Sequence, residues 1–331
     1  MRMSSRYIYL DDIDRSSWTA ALLLVYIPRA RMAISAEKWA RGLLQPLLED
    51  HPHRVFKVSD LRAHLSGLKA DAQVSKRLSF DEFIRRLIES GELHHITLEY
   101  EPEEGTSTSD YEPFVRYVWG DLDPFTLGLS LRPGSYISHG SAVFLHGLND
   151  QLPKTIYVNK EQSAKPEKPV VLAQSGIDRA FANKPRTSRY SFAFNADLRF
   201  TLLSGKNTGR YEVEPMQDRH DSIVDTTSLE RTLVDIAVRP AYAGGPHQVL
   251  EAYRSARDRA SVNTVLAVLR KHNHAYPFHQ AIGFYMERAG FPQERLERLR
   301  ELGLSFDFYL ANQLEEREYV PQWRLWIPKG L

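Results

Sequence analysis

Apolar positions follow three successive spacings along the chain. Between Ser35 and Glu89 they recur at helical intervals. From Leu93 they gather in short β-prone runs, with one brief helical stretch near residue 140. From Thr227 onward the helical interval returns. A helix is predicted to open at Ser35, with Trp39, Leu43, Leu44, Leu47 and Leu48 on one stripe. Ile34 and Trp39 fit a hydrophobic staple around a Ser35 cap, and His51-Pro52 ends the helix. Arg54–Val58 is short and β-prone. Ser59 is then expected to cap a second helix that buries Leu61, Leu65 and Leu68, and Gly67 with residues 69–74 forms a connector.

The third helix carries the strongest local pattern. Ser79 and Glu82 have capping-box spacing, and Leu78 and Phe83 fit the staple. Phe80, Phe83, Ile84, Leu87 and Ile88 match the i, i+3, i+4, i+7, i+8 template, and Gly91 stops the helix. Leu93–Tyr100 and Phe114–Trp119 are expected strands around a polar loop, Glu101–Asp110. The order helix, short strand, helix, helix, hairpin is that of a winged helix, which lays its third helix in the major groove of duplex DNA. Such a contact needs cations. Arg pairs bidentately with guanine, while Lys and Ser hold phosphates. The candidate DNA-binding residues are Lys57, Ser75, Lys76, Arg77, Arg85 and Arg86. Set against them is the plain alternative that Arg85 and Arg86 are a solvated helix face. The wing carries Glu101, Glu103, Glu104 and Asp110, which phosphates would repel. An acidic wing leaves open a protein-interaction module.

Beyond Asp121–Pro124, taken as a boundary, Ser138 is placed to cap a helix that includes Val143, Phe144 and Leu148. Strands are expected at Pro153–Val158, Val170–Ala173, Tyr190–Phe194, Phe200–Leu203 and Tyr211–Val213. Thr227 and Glu230 have capping-box spacing before a helix with Leu229, Leu233, Ile236 and Ala237 on one face. Further helices bury Val249, Leu250, Tyr253 and Ala256, then Val262, Val265, Leu266 and Leu269. Two more open at Pro277 and Pro292, and the tail Tyr319–Ile327 is β-like. The expected fold class is therefore α+β: a winged helix-turn-helix followed by a larger mixed domain with a helical second half. The expected division is an extension over 1–34, a DNA-binding domain over 35–120 and a second domain over 121–331.

Composition narrows the function classes. The chain has 331 residues and no cysteine, which removes disulfide frameworks, thiolate zinc sites and a thiol nucleophile. The formal net charge is +1, so any nucleic-acid surface must gather its cations on one face. The apolar run Trp18–Ile27 is short of the ~20 residues that span a bilayer and follows Asp11, Asp12 and Asp14. Neither a signal peptide nor a membrane partner is expected, and a cytoplasmic location is.

Catalytic motifs are weak. Ser138, His139 and Ser141 do not form G-x-S-x-G, so capping and packing are the better account. His272, His274 and His279 lack metal spacing and are expected at a solvated helix end. Arg231 and Asp235 are an i, i+4 pair. No P-loop or dinucleotide fingerprint occurs, and no cofactor, metal or catalytic residue is assigned. A metal-dependent nuclease remains the enzymatic rival, drawing on Asp197 near Arg199 or Asp225 near Glu230. Arg186, Arg189, Arg199 and Arg210 could extend a nucleic-acid surface or stand as solvated strand edges.

Two groups of motifs carry a family resemblance. Tyr136-Ile-Ser-His-x-Ser-Ala, Leu145-His-Gly-Leu and Ile156-Tyr-Val resemble the opening of the AbiEi-type antitoxin domain. Ser228-Leu-Glu-Arg-Thr-Leu-Val-Asp235, with Arg239-Pro and Gly244-Gly245, resembles its second half. The resemblance implies a transcriptional autorepressor that binds its own promoter, at inverted repeats, through the winged helix. It also implies an antitoxin of a phage-defence toxin–antitoxin pair, acting against a nucleotidyltransferase toxin with or without a stable complex. The toxin's own pattern, Gly-Ser followed by spaced Asp residues, is absent.

Overall fold

The structure, a computed structural model, describes residues 33–51, 53–101, 111–166, 171–195, 197–219 and 221–331. The Trp18–Ile27 run and the wing residues Glu103, Glu104 and Asp110 lie outside them, as do the side chains of Ile34 and Ser35. The described fold is mixed α+β, with helices on a large curled sheet.

The N-terminal elements are α1 (Ala33–Asp50), β1 (Val55–Phe56), α2 (Val58–Ala70), α3 (Phe80–Glu89), β2 (Leu93–Tyr100) and β3 (Phe114–Trp119). The apolar stripes found in the sequence face one core, where Leu44, Phe56, Leu61, Phe83, Leu87 and Trp119 are buried. Helix α2 starts earlier than expected. Lys57 is its N-cap, and the Lys57 backbone N–H donates to the Asp60 carboxylate at 2.8 Å. Ser59 thus lies inside the first turn, and the helix runs through Gly67 to Ala70. The cap of α3 is as expected on one side, since Ser79 Oγ accepts from the Glu82 N–H at 3.1 Å. The Glu82 carboxylate is taken instead by Arg85 and Arg86.

Strand β1 pairs with β3, and β3 with β2. The far end of β2 continues into a second set of strands by pairing Glu99 with Ala193 and Tyr100 with Phe192. These strands are β4 (Tyr136–Ile137), β5 (Thr155–Glu161), β6 (Ser191–Phe194), β7 (Leu198–Gly205), β8 (Val213–Gln217) and β9 (Ile223–Thr227). The nine strands run in the order β1-β3-β2-β6-β7-β5-β4-β9-β8. The sheet thus crosses the sequence boundary at residue 120. A second core crosses it too, joining Ile96, Leu98 and Val118 to Phe125, Ile156 and Phe200.

The segment taken as a boundary opens a helix, α4 (Pro124–Leu131). Asp123 caps it by accepting from the Phe125 and Thr126 N–H groups at 2.9 and 3.0 Å. Gly128 lets it lie directly on the sheet, because a Cβ there would stand 3.0 Å from Val158. Helix α5 (His139–Leu145) follows β4. Helix α6 (Gln174–Ala182) occupies the region beside the expected Val170–Ala173 strand, whose described residues 171–173 form no strand.

The C-terminal third is helical: α7 (Leu229–Val238), α8 (Pro246–Ala256), α9 (Val262–His272), α10 (Phe278–Arg288) and α11 (Gln293–Arg300). Ser228, rather than Thr227, caps α7, and the Glu230 carboxylate instead accepts from the Ser261 N–H at 2.8 Å. A small sheet, β10 (Phe308–Tyr309), β12 (Leu325–Pro328) and β11 (Arg317–Val320), closes the third core over the helices. Among the described residues no helix is long and apolar enough to cross a membrane.

Candidate functional site

Two surfaces carry unusual charge. The first is the N-terminal face expected to meet DNA. Ser75, Lys76 and Arg77 form the exposed turn before α3, where Ser75 Oγ accepts from the Arg77 N–H at 3.2 Å. Lys57 is half-buried at the start of α2. Arg85 and Arg86 stand exposed on α3, and both are paired. Arg85 lies 2.5 Å from Glu82 and 2.7 Å from Glu89, and Arg86 lies 2.7 Å from Glu82. Hydrogen bonds from these arginines hold the Glu82 carboxyl below its ordinary pKa. Along α3 the two arginines are outnumbered by Asp81, Glu82 and Glu89, and the turn before it is positive. In the wing, the Glu101 carboxylate meets Arg199 across the sheet at 2.8 Å, so this acid points toward the rest of the chain.

The second surface is a cleft of about 1120 Å³ in the second half of the chain. Its floor comes from α7 and its neighbours. Arg231 and Asp235 project from successive turns of α7, and His139 opens α5 with a left-handed φ of 52°. His272 ends α9. Asn273, in left-handed conformation, turns the chain so that His274 also reaches the cleft.

Arg231 is the anchor of this floor and is almost wholly buried. It donates to Tyr136 Oη at 2.6 Å, to Thr208 Oγ1 at 3.2 Å and to the Tyr211 carbonyl, and it faces Glu161 at 3.3 Å and Asp235 at 3.6 Å. Burial pushes the Glu161 carboxyl upward, but hydrogen bonds from Thr208 and the Arg210 N–H, with the charge of Arg231, outweigh it and hold the group down at about 2. Burial wins at Asp235, which is pushed up to about 6 in spite of Arg231.

His139 is packed, as expected, whereas His272 and His274 are not at the solvated helix end that the sequence suggested. His139 and His272 are 8% and 4% exposed. Burial, reinforced by Arg239 and Arg231 at His139 and by Arg231 at His272, pushes both down to about 3. Burial with Lys206 and Arg239 takes His274 to about 4. All three imidazoles are therefore neutral at pH 7. The Nε2 atoms of His272 and His274 are buried without a hydrogen-bond partner among the described residues. His279 departs from the expectation as well, since its Nε2 meets the Gly303 carbonyl at 2.7 Å.

The cleft's charge is one-sided. Among the described residues its cations are Lys184, Arg186, Arg189, Lys206, Arg231 and Arg239, and its single carboxylate is Asp235. Only Arg231 has an ion-pair partner among the described residues. Lys206 donates to the His272 and Asn273 carbonyls at 2.7 and 2.9 Å, which leaves its charge uncompensated. The 184–189 segment is held in place by Ser188, whose N–H donates to Tyr242 Oη and whose hydroxyl donates to the Leu202 carbonyl.

No protein-family model matches the chain, and no curated protein matches it. The chain is similar to the crystal structure of the RV2827C protein from Mycobacterium tuberculosis, with a TM-score of 0.52 and 16% identity. The match covers 88% of this chain and 91% of that one. At this identity the likeness concerns the fold, and it runs through both halves of the chain.

The remaining sequence candidates fall outside the cleft or have structural partners. Ser138 makes no cap hydrogen bond; its hydroxyl meets His139 Nδ1 at 2.9 Å. Ser141 Oγ accepts from the Tyr157 N–H at 2.9 Å and fastens α5 to β5. Asp225 is bonded to Arg210 at 2.5 Å. Among the described residues no three His, Asp or Glu side chains are grouped to hold a metal ion. Sequence reasoning noted Arg186 and Arg189 but missed Lys184, Lys206 and Arg239. These cations lie on separate segments, and no local motif joins them.

Proposed function

We propose that the chain is a DNA-binding transcriptional autorepressor and antitoxin of the AbiEi type, acting against a nucleotidyltransferase toxin. In this reading residues 35–120 are a winged helix and residues 121–331 the antitoxin part. One observation carries the DNA-binding half. Helices α1, α2 and α3 and the β2–β3 hairpin share a single core, with β1 closing onto β3. This shared core supports the winged-helix reading, in which α3 and the exposed Ser75–Arg77 turn would meet the DNA. The antitoxin half rests on the motifs around Tyr136 and Ser228.

Binding would use Lys76 and Arg77 directly. Arg85 and Arg86 would exchange Glu82 and Glu89 for phosphates or guanine edges. Exposed ion pairs are worth only about 0–1 kcal/mol, so the exchange is inexpensive. The wing contributes less, because β6 covers the far edge of β2 and Glu101 is turned to Arg199.

Mobility shifts with the DNA upstream of the protein's own gene test the repressor half. A sequence-specific shift at moderate salt is expected, weakened by Lys76→Glu with Arg77→Glu. The absence of a specific shift overturns it. Co-expression with a toxic neighbouring gene product tests the antitoxin half; a neighbour that is not a nucleotidyltransferase, or failure to restore growth, overturns that half.

A further inference from the structure

We propose that the cleft between α7, α9 and the 184–189 segment binds a nucleotide, that is, a small molecule with a phosphate chain and a planar base. The inference does not depend on the winged-helix reading, since none of the cleft's lining residues belongs to the N-terminal elements.

The argument has three parts. The first is charge. Lys184, Arg186, Arg189, Lys206 and Arg239 ring the opening with no carboxylate in ion-pair contact among the described residues. Five like charges facing one concavity repel one another. A polyanion relieves that repulsion, and guanidinium groups match phosphate oxygens bidentately. The second is size. At about 1120 Å³ the cleft lies at the upper end of small-molecule sites, with room for more than an inorganic ion.

The third is the floor. His272 is 4% exposed, and its Nε2 has no partner among the described residues, nor does that of His274. Buried polar atoms of this kind ordinarily find a partner. Neutral imidazoles can donate to, or accept from, the edge of a base, and burial, reinforced by the cations around them, keeps them neutral. Tyr276 and Phe278 line the same wall and add aromatic surface to it. Phosphates at the rim would relieve the charge, and a base on the floor would give the buried nitrogens a partner once either ring turns toward the cleft.

The experiment is equilibrium binding to the full chain by isothermal titration calorimetry. The probes are ATP, GTP, CTP and UTP, with inorganic tripolyphosphate and the four nucleosides in parallel. At least one triphosphate is expected to bind, at least tenfold tighter than tripolyphosphate and than its own nucleoside. Arg186→Glu with Arg239→Glu is expected to weaken it at least tenfold. Arg254→Glu, an exposed arginine outside the cleft, is expected to leave it unchanged. Lys184→Glu repeats the test on a residue whose side chain has no hydrogen bond among the described residues, and circular dichroism confirms folding of each variant. The proposal is overturned if no nucleotide binds at millimolar concentration. It is also overturned if tripolyphosphate binds as tightly as every nucleotide, or if the charge reversals leave affinity intact in folded protein.

Discussion

Replacing Arg231 by Met tests the account of the buried floor. Methionine fills most of the arginine's volume, so the cost is electrostatic rather than a cavity. The substitution strands Glu161 and Asp235, whose side chains are 7% and 14% exposed, deprives Thr208 Oγ1 and the Tyr211 carbonyl of the Arg231 donor, and leaves Tyr136 Oη with Asn159 as its remaining donor. Removing one partner of a buried ion pair costs about 3–5 kcal/mol. Arg231→Met should therefore lose about that much in urea unfolding, as a lower midpoint at constant m-value. The pH dependence has a definite sign. The Glu161 carboxyl sits at about 2, below its ordinary 4.5, so its contribution is complete above pH 4.5 and is lost as pH falls toward 2. Asp235, raised to about 6, favours the folded state as pH falls through 6. Removing the cation raises both carboxyls, so the variant takes up protons on folding. Its deficit should shrink between pH 8 and pH 5. Adding Glu161→Gln and Asp235→Asn should recover most of the loss at pH 8. A deficit below about 1 kcal/mol, or one that widens on acidification, would refute this account.

Three further outcomes follow from individual contacts. Gly283→Ala places a Cβ 2.2 Å from the buried Trp323 indole and should cost at least the 1–3 kcal/mol typical of overpacking, whereas Gly67→Ala, with open space around it, should stabilise by about 0.5–1 kcal/mol; chemical unfolding of both variants checks the contrast. Asp123 is pushed up to about 7 by burial and by Asp218, so the wild-type should gain on Asp123→Asn as pH falls through 7, by at most about 1.4 kcal/mol per pH unit; parallel urea titrations at pH 8 and 6 read the difference. Glu82→Gln should free Arg86 for phosphates, while Arg85 keeps Glu89, and should tighten operator binding with a steeper salt dependence; an unchanged mobility shift would move the contact surface off α3.

The helices whose polarity alternates were legible in the sequence. Ser79, Phe83 and Leu87 mark α3 because a cap and an apolar stripe sit at fixed offsets, and the same spacing marks α7 to α9. Helix α4 escaped because Pro124-Phe-Thr-Leu-Gly-Leu-Ser-Leu131 is apolar all round and carries Pro and Gly. A helix buried on nearly every face has no period to detect. Helix α6 escaped for the opposite reason, since Ile177 is its one buried residue. Arg116, taken as part of an alternating strand, is buried with its guanidinium on Ser130, a contact with an element that no local pattern had announced. The cleft was least legible. His272 and His274 follow a helix end rich in Arg270 and Lys271, and this suggests solvent. They are buried by chain that lies tens of residues away, around Arg231 and Lys206.

Charge distribution decides how the two surfaces differ. A net charge of +1 says nothing of where the cations stand. On α3 each arginine is matched by a glutamate one turn away, which is what a solvated helix prefers in isolation. Such a face can meet a phosphate backbone only by giving up its own pairs, and the freed carboxylates then oppose the approach. In the cleft no such exchange is needed, because five of its six cations have no carboxylate to release among the described residues and the sixth is committed to the floor. An exposed pair is a weak commitment, worth about 0–1 kcal/mol, whereas unrelieved repulsion in a concavity persists until an anion enters. The two surfaces are therefore suited to different ligands. A long polyanion can displace weak pairs through many contacts on an open face. A compact one can discharge a recess that the protein itself leaves positive.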